Sequence, residues 1–236
     1  MNTDSIILDR VPIIWNAEQI ALENNVRAET SFHTSYIRSL KLAAEVMRPR
    51  AVLRWSKVDA VQDGVVTIGG IAFKSKVMAH HLKDCEYIFA CAMTAGDELR
   101  RSGAIKNEVL ADSIQYIILG KLQEWVVDSI ESKLEWKNVS FISPGSLPDW
   151  PIKGNKQVFA LLGDLPEQIG IKLNANGYMR PVHSVSGVLF SDDQGYVNCR
   201  LCLRYDCIGR CAPFDKKEYD RVFMPIDQNQ EELEGK

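Results

Sequence analysis

The segment from residue 107 to residue 136 constrains the fold more than any other part of the chain. Its apolar residues recur at intervals of three and four, which is the period of one face of an α-helix. Gly120 within it costs about 1 kcal/mol relative to alanine, and it suggests a close packing contact. We therefore predict one long helix, whose apolar positions are Val109, Leu110, Ile114, Ile117, Ile118, Leu122, Trp125, Val126, Ile130 and Leu134.

Strand-rich segments lie on both sides of this helix. Residues 51–73 contain short β-branched runs broken by Asp63–Gly64 and Gly69–Gly70, which predicts an antiparallel meander. The run 86–95 is apolar and predicts a strand buried on both faces in the middle of a sheet. The predicted fold class is therefore α+β: a twisted, largely antiparallel sheet with long helices packed on it, in a single globular unit.

Length and charge exclude several classes of protein. The 236 residues are enough for one large domain with a substantial core, and the net charge of −3 creates no field that would attract nucleic acid. The N-terminus lacks the apolar segment of a signal peptide, and no apolar run is long enough to span a membrane. We expect a cytoplasmic protein with reduced thiols and with neither a nucleic-acid nor a membrane partner.

Four of the six cysteines lie close together near the C-terminus, as Cys199, Cys202, Cys207 and Cys211. In a reducing compartment, such a cluster indicates a metal site more often than disulfides. Structural zinc usually uses two C-x2-C pairs about 15–20 residues apart, whereas iron–sulfur clusters more often take thiolates from one compact segment. We therefore favour a [4Fe–4S] cluster bound by this cysteine-rich metal loop, and zinc is the alternative.

Three motifs resemble the activation domain of cobalamin-dependent methionine synthase and, more closely, its free-standing relatives in anaerobic bacteria. They are the turn Thr94–Gly96 after the apolar strand, the loop Ser143–Pro151 with its Pro-Gly pair, and residues 170–187, where Met-x-Pro precedes Ser-Val-Ser-Gly. They occur in the family's order, with the long helix between them, and the resemblance extends from about residue 50 to residue 200.

The resemblance implies a function in the reductive reactivation of a corrinoid. In the family, the domain binds S-adenosylmethionine and docks on a cobalamin-carrying domain whose cobalt has been oxidised to the inactive cobalt(II). The implied partner is a corrinoid protein or a methionine synthase core without its own activation domain, with flavodoxin or ferredoxin as electron donor. A [4Fe–4S] cluster would add an electron relay. The alternative is a non-catalytic, zinc-stabilised module that docks on a corrinoid protein.

The resemblance also places the S-adenosylmethionine site. Ser143, Pro144 and Gly145 correspond to the family's Pro-Gly loop, and glycine permits close approach of a ligand to the backbone. Tyr196 matches a tyrosine that contacts the ligand. The sequence identifies no catalytic acid, base or nucleophile.

Two positions depart from the family's loop. An arginine that pairs with the ligand carboxylate is replaced by Phe141, and a tyrosine is replaced by Ser146. We consider Arg180, beside the Met-x-Pro motif, as the residue that supplies the missing cation.

For two serines and two histidines, a purely structural role is an alternative to ligand or metal binding. Ser184 and Ser186 alternate along a strand and lie on one face of it, so they are candidate binding residues or members of a satisfied polar face. His80–His81 has no second ligand at metal spacing, so a helix surface or a satisfied histidine is the better interpretation.

The predicted organisation has four parts. Residues 1–50 form an N-terminal helical region that carries little of the resemblance, and residues 51–198 form the activation-like domain. The metal loop occupies residues 199–214, and the acidic tail 226–236 is expected to be disordered.

Overall fold

A computed structural model describes residues 4–207 and 210–224, so the predicted acidic tail lies outside the described residues. The strands are β1 (Ser5–Leu8), β2 (Arg50–Gln62), β3 (Val65–Ile68), β4 (Ile71–Lys74), β5 (Tyr87–Thr94), β6 (Val139–Ile142), β7 (Lys172–Leu173), β8 (Met179–Arg180) and β9 (Ser184–Ser191). The α-helices are α1 (Ala17–Glu23), α2 (Ser31–Val46), α3 (Lys76–Leu82), α4 (Glu98–Ser102), α5 (Glu108–Leu134), α6 (Asn155–Leu162), α7 (Leu165–Gln168) and α8 (Lys216–Phe223). Short 3-10 helices span Ile152–Gly154 and Asn198–Arg200.

The main sheet is antiparallel throughout its described pairs. Its order is β4-β3-β2-β5-β9-β6, and β1 also pairs with β2. The long strand β2 pairs with β5 on one side, and on its other side it pairs with β1 through residues 51–54 and with β3 through residues 58–62. A register irregularity between Val58 and Ala60 lies within the part that pairs with β3. The predicted α+β class is confirmed.

Hydrophobic cores cover both faces of this sheet. Residues of β5 enter the two cores alternately: Phe89 and Cys91 face the core that contains α5, and Ile88 and Ala90 face the other. This alternation follows from the period of two in a β-strand. The prediction of a central strand buried on both faces is therefore confirmed.

The long helix α5 matches its predicted range closely. The Asn107 side chain caps its first turn, since Oδ1 accepts a hydrogen bond from the Leu110 N–H at 3.1 Å. Its apolar face packs on the sheet, with Ile114, Ile118 and Leu122 almost completely buried. The expectation for Gly120 was wrong, because a Cβ built at that position meets no heavy atom within 4 Å.

The N-terminal region contributes to the same sheet and core. Strand β1 pairs with β2, and residues of α1 and α2 such as Ile20 and Leu40 pack in the core that α5 covers. The Thr30 side chain caps α2 by accepting a hydrogen bond from the His33 N–H at 3.0 Å. Among the described helices, none combines the length and apolar character needed to cross a membrane.

Candidate ligand-binding site and cysteine loop

The loop after β6 forms a closed turn built around Gly145. This glycine has a φ of 86°, a conformation that L-residues rarely adopt. Its N–H donates a hydrogen bond to the Trp150 carbonyl oxygen at 2.7 Å, which closes the turn. Ser143 and Pro144 are buried, whereas Gly145 is exposed. The hydroxyl oxygens of Ser143 and Ser146 lie 3.0 Å apart, so two hydroxyl groups meet at this loop.

The structure connects Tyr196 to this loop through Asn198. The Tyr196 hydroxyl donates a hydrogen bond to Asn198 Oδ1 at 3.0 Å, and Asn198 Nδ2 donates to Ser143 Oγ at 3.1 Å. The predicted residues Ser143 and Tyr196 therefore do lie on one network. Asn198 was missed by the sequence analysis, because a single asparagine in a turn-rich segment carries no local signal of its role.

Tyr196 also contacts Asp192 through its backbone and His81 through its ring. The Tyr196 N–H donates to Asp192 Oδ2 at 2.9 Å, and the Tyr196 ring centroid lies 4.4 Å from that of His81. Burial raises the pKa of the Tyr196 hydroxyl well above its usual value, so this phenol stays protonated and acts as a hydrogen-bond donor. It is not a candidate base near neutral pH.

His81 is an interior histidine at the end of α3. Its Nδ1 lies 3.4 Å from Asp192 Oδ2, and only 5% of its side chain is exposed. Burial lowers the pKa of His81 to about 4 and outweighs the opposing effect of the Asp192 carboxylate. The imidazole is therefore neutral at physiological pH.

The two candidate serines of β9 have separate hydrogen-bond partners. Ser184 Oγ lies 2.8 Å from Thr94 Oγ1, so it supports the predicted turn at Thr94–Gly96. Ser186 Oγ donates to Asn155 Oδ1 at 2.7 Å, and Asn155 Nδ2 donates to the Gly177 carbonyl oxygen at 2.8 Å. Both hydroxyls lie in satisfied polar contacts, which fits the structural alternative for these serines. Asn155 is a second polar residue that the sequence analysis missed.

Phe141, at the position where the resemblance leads us to expect an arginine, packs its ring against β9. It lies on β6 opposite Leu189, and a Cβ placed at Gly187 would be 2.7 Å from its ring. The ring therefore occupies the surface that the absent side chain of Gly187 leaves open. Arg180 is exposed on β8, which pairs with β7 through the register Lys172↔Arg180.

The cysteine loop, residues 199–211, brings two of its four thiols into contact. Cys199 Sγ and Cys211 Sγ lie 3.6 Å apart, and Cys207 Sγ lies 3.9 Å from the Tyr116 hydroxyl on α5. Within residues 4–207 and 210–224, no three His, Cys, Asp or Glu side chains converge as metal ligands. The metal site at Cys199, Cys202, Cys207 and Cys211 therefore stays a prediction.

The remaining two cysteines belong to the packed interior. Cys91 is completely buried in β5, and burial raises the pKa of its thiol far above the usual range. Cys85 is half-buried after α3, and burial raises the pKa of its thiol to about 11. Both thiols are therefore protonated at neutral pH and contribute as small apolar side chains.

Comparison with known proteins identifies the fold. Neither protein-family models nor curated protein sequences match this chain. Among solved structures, it is similar to the crystal structure of the MetH reactivation domain bound to AdoHcy, with a TM-score of 0.52 and 16% sequence identity. The match covers 78% of this chain and 72% of that chain. The chain thus has the activation-domain-like fold that its motifs implied.

Proposed function

We propose that this chain reactivates a corrinoid protein by reductive methylation, with S-adenosylmethionine as the methyl donor. Its partner is a cobalamin-binding protein or a methionine synthase core that lacks its own activation domain. The protein thereby acts as a cytoplasmic accessory enzyme of methionine biosynthesis.

One observation carries this proposal. The fold is that of a reactivation domain that binds AdoHcy, and it brings Ser143 and Tyr196 into one hydrogen-bonded network through Asn198. AdoHcy is S-adenosylhomocysteine, the molecule that remains when S-adenosylmethionine has lost its methyl group. A protein that holds this product is suited to hold the methyl donor, since the two molecules differ by one methyl group and one charge.

The proposed reaction balances with one electron and one methyl group. Cobalt(II) accepts one electron and becomes cobalt(I). Cobalt(I) then supplies the electron pair of a new cobalt–carbon bond, while the carbon–sulfur bond of the sulfonium breaks and leaves its electron pair on sulfur. The products are methylcobalt(III) and S-adenosylhomocysteine. The methyl transfer removes cobalt(I) and so makes the uphill reduction proceed.

The chain's contribution to this chemistry is orientation of the two reactants. In the proposed site, the hydroxyl groups of Ser143 and Ser146 bind polar groups of the methyl donor, and Gly145 lets the ligand approach the backbone. Tyr196 acts through Asn198 as a positioning residue, because its hydroxyl already donates to that amide. The exposed guanidinium of Arg180 pairs with the ligand carboxylate, in place of the arginine that Phe141 replaces.

The electron reaches the corrinoid through the cysteine loop. In the finer form of the proposal, the four cysteines would hold a [4Fe–4S] cluster, which would supply one-electron transfer between flavodoxin or ferredoxin and cobalt. The loop follows Asn198 directly, so such a relay would lie next to the methyl donor. This adjacency supports the relay.

Calorimetry and a conversion assay test the proposed function. We expect S-adenosylmethionine and S-adenosylhomocysteine to bind in titrations of the whole chain. We also expect the chain, with a reductant, to convert a cobalt(II) corrinoid protein to its methylcobalt form, followed by absorbance. Absence of binding heat up to millimolar ligand, together with no conversion, would overturn the proposal.

A second candidate function is a non-catalytic, zinc-stabilised module that docks on a corrinoid protein. The packing of Phe141 on Gly187 favours it, because a benzyl ring cannot pair with a carboxylate. This candidate predicts corrinoid-protein binding without any S-adenosylmethionine heat, so the same titration separates the two functions.

A further inference from the structure

The cysteine loop is fixed to the folded domain at both ends. On its N-terminal side, Leu201 is completely buried in the core on the α3 and α6 face of the sheet. On its C-terminal side, the Asp215 N–H donates a hydrogen bond to the Arg200 carbonyl oxygen at 2.8 Å. The Phe214 and Tyr219 rings then pack with centroids 5.4 Å apart, which joins the end of the loop to α8. The four thiols therefore lie on an anchored segment.

Arg210 holds the backbone of the loop together. One terminal nitrogen of its guanidinium donates to the carbonyl oxygens of Cys199 at 2.8 Å and Ala212 at 3.0 Å. The other donates to those of Cys202 at 2.8 Å and Arg204 at 2.7 Å. A planar guanidinium can make four such bonds at once, whereas an ammonium group cannot match this fork geometry. One side chain thus fixes the positions of both ends and the middle of the loop.

One pair of sulfur atoms in the loop has the spacing of two ligands on a single metal ion. Cys199 Sγ and Cys211 Sγ lie 3.6 Å apart. Two thiolates on one tetrahedral ion, with metal–sulfur bonds of about 2.3 Å, lie roughly 3.8 Å apart. The Cys207 backbone belongs to the same arrangement, because its carbonyl oxygen accepts a hydrogen bond from the Arg210 N–H at 3.1 Å.

We propose that Cys199, Cys202, Cys207 and Cys211 form a tetrathiolate metal site and that Arg210 is the positioning residue that builds it. The guanidinium fixes the backbone turns that carry the thiols, and its positive charge offsets part of the negative charge of four thiolates. The site deepens the relay of the proposed function, but its existence does not depend on S-adenosylmethionine binding. Failure of the metal site and failure of the reactivation activity are therefore distinguishable.

The test compares Arg210→Met with Arg204→Met in the full chain. Both variants remove one positive charge from the loop, but only Arg210→Met removes the four side-chain hydrogen bonds to carbonyl groups. Each protein is purified anaerobically, analysed for zinc, iron and sulfide, and reconstituted separately with Zn²⁺ or with Fe²⁺ and sulfide. We expect one centre per chain in the wild type and in Arg204→Met, with the four cysteines protected from alkylation.

In Arg210→Met, we expect metal to be lost to a competing chelator at least tenfold more readily. Circular dichroism and thermal unfolding check that this variant is folded, and Arg210→Lys, which keeps the charge without the fork, should restore little of the affinity. Equal metal affinity in Arg210→Met and Arg204→Met would overturn the role of Arg210.

The identity of the metal separates the site from the relay. A brown, reducible protein that contains iron and sulfide supports both the metal site and the electron relay. A colourless protein with stoichiometric zinc supports the metal site but excludes the electron relay. If neither reconstitution yields a bound metal and all four cysteines alkylate freely, the metal site itself is refuted.

Discussion

At the scale of single residues, Phe141 and Gly187 depend on each other. The Phe141 ring lies over Gly187, and a Cβ at that glycine would also collide with the Ile142 carbonyl oxygen. The backbone of an antiparallel pair cannot yield as a flexible side chain can. Position 187 is therefore restricted to glycine by close approach of the neighbouring strand.

This restriction predicts that Gly187→Ala strongly destabilises the folded chain. We expect a loss of at least about 2 kcal/mol in the free energy of unfolding, because the new methyl group forces β6 and β9 apart. Urea unfolding followed by circular dichroism measures the loss. A variant with wild-type stability would show that the sheet edge adapts freely.

Arg180 carries a prediction about ligand affinity. If its guanidinium pairs with the carboxylate of S-adenosylmethionine, Arg180→Gln should weaken binding about tenfold, since a charged hydrogen bond contributes roughly 1.5–3 kcal/mol. Lys172→Gln, on the paired strand, removes an equal charge and should bind almost as the wild type does. Calorimetry compares the variants, and equal affinities in both would exclude Arg180 from the site.

At the scale of secondary-structure elements, local patterns were sufficient for the longest helix and for the central strand. Helix α5 followed from an apolar period of 3.6, and the buried strand β5 followed from a short continuous apolar run. The pairing of β9 with both β5 and β6 could not be predicted in this way, because it joins residues far apart in sequence. Strand order depends on such long-range contacts, which leave no local pattern.

The candidate site likewise contains some residues that local sequence patterns identified and others that they did not. The Pro-Gly loop and Tyr196 were found because they match motifs in order along the chain. Asn198 and Asn155 were not found, since their roles depend on partners that are 55 and 31 residues away. The hydrogen bonds of Arg210 to four carbonyl oxygens form only in the folded loop, so no local pattern predicts them.

The open surroundings of Gly120 predict a stabilising substitution in α5. Gly120→Ala adds a methyl group that meets no other heavy atom within 4 Å, and it reduces the conformational freedom of the unfolded chain. We expect the free energy of unfolding to rise by about 0.5–1 kcal/mol. The Gly120→Ala variant also serves as a control for Gly187→Ala. A decrease in its stability would mean that α5 has a close neighbour at position 120.

At the scale of the whole molecule, His81 makes folding depend on pH. Its pKa is about 4 in the folded chain, compared with 6.5 for an unperturbed histidine. The unfolded chain therefore binds more protons between these values, and stability is complete above pH 6.5 and decreases as the pH falls towards 4. Asp192 favours the charged imidazole, whereas burial, His80 and Arg221 oppose it.

We expect the histidine contribution to lower the free energy of unfolding by about 2 kcal/mol between pH 7.5 and pH 5. Urea unfolding at the two pH values measures the change, and His81→Gln should reduce the dependence because it cannot titrate. An equal dependence in wild type and variant would assign it to other groups.

The order of strands has a consequence for synthesis on the ribosome. Strand β9 is made after residue 183, and it lies between β5 and β6 in the finished sheet. Until it emerges, the nascent chain presents one edge of the apolar strand β5 without its neighbour, and β6 lacks its sheet partner. Unpaired edges of this kind invite aggregation. Chaperone protection is therefore needed most between the synthesis of β5 and the emergence of β9.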